Sequence, residues 1–198
     1  FLWNIHREGR KYSPVKHMPW ERFLPGKSWN MGHSPAFFAF DTITRLFSPY
    51  QLNPFDFNPL RNVLQKTIDF EKLQECNCTK LFISATHVRT GKVRVFHADQ
   101  MTLDVAMASA CLPFLFKAVE IDGDYFWDGG YVGNPALFPL FYETDSRDVM
   151  IVHINPIERE DIPKTAPDIM NRMNEISFNS SLLSEMRAIA FVKKLIEH

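Results

Sequence analysis

The residues best suited to chemistry are Asp128 and the two glycines that follow it. In the stretch 122–136, DGDYFWDGGYVGNPA, this carboxylate ends a strand-like segment, and Gly129-Gly130 let the backbone turn sharply and approach a ligand closely. A carboxylate held this way can act as a proton acceptor. The structural alternative is an aspartate that caps the next helix. A cap stands immediately before its helix, whereas the next helix-starting residue, Pro135, lies several positions on, so the spacing favours chemistry. The Asp-x-Asp beginning at Asp122 does not continue as a calcium loop: Phe126 stands where a third oxygen ligand is needed, and no glutamate closes the loop.

The other chemical candidates are weaker. GHSPA (32–36) approaches the G-x-S-x-G nucleophile elbow, but the second glycine is missing and a proline follows Ser34. Ser34 fits better as a cap for the helix after it. None of the seven histidines falls in a metal-binding spacing, so no metal or cofactor is expected, and His153 within the apolar run 149–154 reads as a hydrogen-bonded core histidine. Cys76, Cys78 and Cys111 make an odd count without C-x-x-C spacing, which argues against a disulfide framework or a zinc site and for reduced thiols in a cytoplasm. Asn77-Cys78-Thr79 and Asn179-Ser180-Ser181 match the glycosylation sequon, a short motif that recurs by chance.

Around these residues the chain reads as a single domain over 1–198, since 198 residues that are 45% hydrophobic suffice for one core. A net charge of -1 gives no global field for nucleic acid, and no apolar run has the length of a membrane span. Residues 1–35 interleave aromatics with six basic and only two acidic residues. They read as an irregular loop pinned by its rings, with a lipid-headgroup surface as the alternative.

Further elements follow from pattern. Residues 36–47 have helical spacing, with Phe37, Phe40, Ile43, Thr44 and Phe47 on one stripe, and a short helix starts near Pro59. Residues 81–88 and 92–97 read as strands about the turn Arg89-Thr90-Gly91. Residues 103–111 are helix-prone, and 119–127 form a hairpin turned at Asp122-Gly123. Pro135 begins another helix, 149–154 (VMIVHI) reads as a strand covered on both faces, and the chain from Pro163 onward is helical with a break at Asn179-Ser180-Ser181. Strands separated by helices imply a layered α/β fold.

The segments LFISATHVRTGKVRVF (81–96), VAMASACLPFLFKAVEIDGDYFWDGGYVGNPAL (105–137) and DVMIVHINP (148–156) together resemble the patatin-like phospholipases in their bacterial form. SPYQLNPFDFNPLR upstream and NEISFNSSLL downstream extend the likeness over nearly the whole chain. The resemblance implies a three-layer α/β/α sandwich with a mostly parallel central sheet, incomplete on its N-terminal side. It implies lipid acyl hydrolysis, of phospholipase A or esterase type, by a Ser-Asp dyad. Asp128 would be its base, with Gly129 and Gly130 as the supporting motif residues.

The family's glycine-rich oxyanion segment and G-x-S-x-G elbow are not found in 1–198, so the nucleophile is expected upstream of Phe1. The chain alone is then expected to be inactive and marginally folded, with an open sheet edge. Its partner would be a lipid or membrane-surface substrate, met from the cytoplasm at the membrane periphery. A non-catalytic lipid-surface or partner-binding module that keeps the fold is the alternative.

Overall fold

A computed structural model describes residues 35–76, 79–146 and 148–196. They fall into two compact units, one holding residues up to Asp69 together with Leu112–Lys117, the other Phe70–Cys111 and the chain from Ala118 on. The segment 1–34, with its basic and aromatic residues and Ser34, lies outside the described residues.

In the first unit, α1 (Pro35–Leu46) matches the helical spacing of 36–47. Of its expected stripe Thr44 is buried, while Ile43 and Phe47 stay exposed. Helices α2 (Pro49–Leu52) and α3 (Pro59–Thr67) each start at a proline, whose fixed φ suits a first turn. Asn58 caps α3 by accepting from the Leu60 amide at 3.1 Å. Lys117 donates to the Pro54 carbonyl at 2.8 Å and returns 112–117 to this unit.

The second unit opens with α4 (Phe70–Glu75) and is built on four strands: β1 (Phe82–His87), β2 (Val93–His97), β3 (Val119–Ile121) and β4 (Asp124–Asp128). Their order is β2-β1-β4-β3, and every pair is antiparallel. The mostly parallel sheet expected from sequence is therefore not what these strands form. The connections are the reason: 88–92 between β1 and β2, and Asp122-Gly123 between β3 and β4, are too short for the crossover that parallel neighbours require. The second turn forms as its residue types demand, with φ of 55° at Asp122 and 83° at Gly123.

Helix α5 (Leu103–Ala108) is capped by Thr102, whose hydroxyl accepts from the Val105 amide at 3.2 Å. It packs on β1, β3 and β4. The core between them holds Ala85, Phe96, Phe126, Met101, Val105 and Ala108. Phe96 and Phe126 meet edge to face at 5.7 Å, an arrangement worth about 1 kcal/mol beyond the area they bury.

Three expectations for the C-terminal half are corrected. Pro135 follows a cis peptide bond and starts no helix; α6 spans Phe138–Glu143 instead, with Pro139 in its first turn. The run 149–154 forms no strand: its backbone joins no ladder among the described residues, and Met150, Val152 and Ile154 are 90%, 82% and 90% exposed. Apolar composition gave it strand propensity, but a strand exists only where a neighbour completes its hydrogen bonds. Helix α7 (Ala166–Ile196) runs unbroken through Asn179-Ser180-Ser181. The side chains that would compete with the helix are engaged otherwise: Ser180 donates back to the Ser177 carbonyl at 2.7 Å, and Asn179 bonds away from its own helix.

Candidate functional site

Asp128 is the last residue of β4 and is fixed from three directions. Its Cα faces Ala85 in the ladder. Its amide donates to the Cys111 carbonyl at 2.9 Å, and its own carbonyl accepts from the Thr86 hydroxyl at 2.7 Å. Strand pairing, the turn after α5 and a buried threonine thus set where the carboxylate begins.

The next residues, Gly129–Tyr131, form a single 3-10 turn, and Asp128 Oδ1 accepts from the Gly130 amide at 2.8 Å. Capping and availability for chemistry are therefore not exclusive here, because one oxygen caps while no hydrogen bond engages Oδ2 among the described residues. The two glycines answer to close approach. A Cβ on Gly129 would stand 2.1 Å from the Ser84 carbonyl oxygen, and one on Gly130 would stand 2.8 Å from the Phe178 ring. Ser84 in turn donates to the Gly133 carbonyl at 3.1 Å, which lays the loop after the glycines along β1.

The carboxylate opens onto a cleft of about 460 Å³ whose wall is polar: Asn134, Asn155, Asn171, Asn174 and Glu175 stand around it. Partial burial pushes the Asp128 carboxyl above the ordinary carboxylate range, and the Gly130 amide opposes that only in part. Tyr131 next to it is also raised, first by burial and then by the negative charges of Asp128 and of Cys111 in its thiolate form. Its ring lies 5.1 Å from that of Phe178.

The far wall is α7, which sequence reasoning did not connect with Asp128. Ser181 accepts from the Asn134 amide at 3.1 Å, and Glu185 accepts from the Leu137 amide at 2.8 Å. Glu175 receives a two-pronged guanidinium contact from Arg159, and Arg172 adds a third bond at 3.2 Å. The Arg159 hydrogen bonds, more than any other influence, hold the Glu175 carboxyl below its ordinary value. The signal was present in the spacing of residues 171, 174, 175, 178, 181 and 185, which share one helix face.

His153 is hydrogen-bonded as expected, 2.9 Å through Nε2 from Asn179 Oδ1, but it is half-buried beside exposed neighbours and is not a core residue. Asn179 itself is 2% exposed and donates to the Pro156 carbonyl, so the folded chain does not present its sequon for glycosylation. The expectation of three reduced thiols is corrected at Cys76, which is disulfide-bonded; Cys111 is buried and forms no disulfide. Cysteine usage accordingly no longer argues for a reducing compartment. Among the described residues no cluster of histidine, cysteine and carboxylate side chains could hold a metal ion, and no helix is long and apolar enough to cross a membrane.

The described residues thus combine a four-stranded antiparallel sheet with packed helices, and a carboxylate at the end of β4 faces a polar cleft. The family model for patatin-like phospholipases matches residues 28–141, more than half of the chain and inclusive of Asp128 and both glycines. The chain belongs to the patatin-like phospholipase family, whose activity is lipid acyl hydrolysis. Comparison with curated proteins gave no match.

Proposed function

We propose that this chain carries the base of a Ser-Asp dyad in a lipid acyl hydrolase, and that the base is Asp128. The observation that carries the reading is the carboxylate itself: it lies within the matched family region, it is fixed through one oxygen by the Gly130 amide, and its other oxygen has no partner among the described residues.

In the proposed reaction, Asp128 accepts the hydroxyl proton of a serine as that oxygen attacks the ester carbonyl of a lipid. The tetrahedral intermediate collapses to an acyl-serine, and Asp128 returns the proton to the departing alcohol. A water molecule, deprotonated by the same carboxylate, then releases the fatty acid. Burial supports the role, because a carboxyl raised above its ordinary range is a stronger base than a solvated one. No serine hydroxyl hydrogen-bonds to Asp128 among the described residues. The nucleophile, and the backbone donors that would stabilise the oxyanion, are placed in sequence upstream of Phe1 because residues 1–198 contain neither a G-x-S-x-G elbow nor a glycine-rich oxyanion segment.

Intact mass after treatment with a fluorophosphonate probe tests this. The expected result is no adduct on residues 1–198, an adduct once the upstream coding sequence is restored, and slow labelling of that longer chain as Asp128→Asn. An Asp128-dependent adduct on residues 1–198 would return the nucleophile to this chain, with Ser34 the first residue to examine. A restored chain that never labels would leave the non-catalytic lipid-surface or partner-binding module as the better description.

A further inference from the structure

The cleft beside Asp128 is lined by side-chain amides from three separate pieces of chain. Asn134 comes from the loop after the glycines, Asn155 from the segment 148–156, and Asn171 and Asn174 from α7. On α7, residues 171, 174, 175 and 178 are spaced as one helix face. In 151–155 exposure alternates: Ile151, His153 and Asn155 are half-buried while Val152 and Ile154 are exposed. Asn155 thus turns to the same side as His153, which bonds to Asn179 of α7.

These amides have capacity to spare. Asn134 donates to the Phe178 carbonyl at 3.4 Å and keeps its side-chain oxygen open. The side-chain amides of Asn155, Asn171 and Asn174 hydrogen-bond to nothing among the described residues. Each offers two donors and an acceptor, the combination that hydroxyl groups require, since a hydroxyl both donates and accepts.

Charge around the cleft disfavours an anion. Two carboxylates, Asp128 and Glu175, line it, and among the described residues no basic side chain does. The guanidiniums behind Glu175 are already engaged: Arg159 through Nε and Nη2 with that carboxylate, Arg172 with the same carboxylate and with the carbonyls of Pro156 and Ile157. A phosphodiester would therefore meet negative charge without a free cation to bind it. The volume of about 460 Å³ is in the range of small-molecule sites, and Phe178 adds an apolar patch against which the C–H face of a sugar ring can lie.

We infer that the cleft receives the uncharged, hydroxyl-rich headgroup of the acyl substrate, a glycosyl group on a diacylglycerol rather than a phosphodiester, and that Asn155, Asn171 and Asn174 read it. Only the identification of the bound molecule as an acyl ester rests on the proposed dyad; binding itself requires no turnover.

The test is calorimetric titration of the chain with dihexanoylglycerol carrying a glucosyl headgroup, against dihexanoyl phosphatidylcholine and dihexanoyl phosphatidylglycerol, each below its micelle-forming concentration. The glucosyl compound should bind at least tenfold more tightly than either phospholipid. Asn171→Ala and Asn174→Ala should each weaken it about fivefold, the loss of one neutral hydrogen bond, and leave the phospholipids unaffected. Both positions are exposed, so the fold is kept, which circular dichroism would verify. Asn174→Lys should shift the preference towards phosphatidylglycerol. No binding of the glucosyl compound, equal or tighter binding of either phospholipid, or glucosyl binding indifferent to the three substitutions would overturn the inference. So would binding by residues 1–198 that disappears once the upstream coding sequence is restored, because the cleft would then be where the rest of the chain packs. Glucosyl binding by a restored chain that never labels with fluorophosphonate would keep the headgroup site and remove the dyad.

Discussion

The Thr86 hydroxyl donates to the main-chain carbonyl of Asp128 at 2.7 Å, across the β1–β4 ladder. Thr86 is buried, so the bond is made where water cannot replace it. Thr86→Val keeps the shape and removes the donor. It should cost about 1–2 kcal/mol in urea unfolding, while Thr86→Ser should recover most of the loss. Equal stability of the valine variant and the parent would show that the carbonyl does not need this donor.

Gly129 and Gly123 should respond to alanine for different reasons. At Gly129 the new methyl meets backbone, the Ser84 carbonyl at 2.1 Å, and the sheet edge must part from the turn. The expected cost is about 3 kcal/mol or more, at the upper end of overpacking effects. At Gly123 the space is open but φ is +83°, so the cost is conformational, about 1–2 kcal/mol. Thermal unfolding of the two variants side by side should rank them in that order.

Asp128→Asn should stabilise the fold at neutral pH while it removes the proposed base. Burial raises the folded carboxyl above its unfolded value, so the folded state holds the proton more tightly than the unfolded chain. The associated stability is fully present below the unfolded value of about 4 and is lost as pH rises through the raised folded value. Asparagine keeps the acceptor for the Gly130 amide and carries no charge to desolvate. Its advantage in melting temperature should therefore appear near pH 7 and vanish in acid; an advantage independent of pH would contradict the burial argument.

Glu175 should show the opposite dependence. Its carboxyl is held below the ordinary value, chiefly by Arg159, so the contribution is present above the unfolded glutamate value and fades as pH falls through the lowered folded one. Glu175→Gln should be less stable than the parent at pH 7 and converge with it in acid. The gap should also narrow with added salt, because Arg159 is half exposed.

Asn179→Leu tests the tie between α7 and the segment 148–156. The substitution leaves His153 and the Pro156 carbonyl without their partner, at a cost of about 2 kcal/mol. Hydrogen exchange should rise first in 149–156, since no backbone ladder protects it. Protection unchanged there would mean that other contacts hold the segment.

What the sequence determined by itself was local. The helix at Pro35–Leu46, the capped start at Pro59, the two hairpins and the positive φ of Asp122-Gly123 follow from side-chain spacing, prolines and turn chemistry, which act over a few residues. The motif around Asp128 and the family were legible for the same reason, as contiguous residues in order.

Tertiary structure decided the rest. VMIVHI has the composition of a buried strand, yet its backbone joins no ladder among the described residues, because pairing depends on a neighbour that composition cannot specify. Asn179-Ser180-Ser181 looked like a helix break, and the helix continues because His153, 26 residues earlier, occupies the amide that would have competed with it. Gly129 was read for its freedom to turn, whereas its neighbour Ser84, 45 residues away in the chain, leaves no room for a side chain. The polar wall opposite Asp128 comes from α7, and such a pairing is set by packing, which no short window of sequence records.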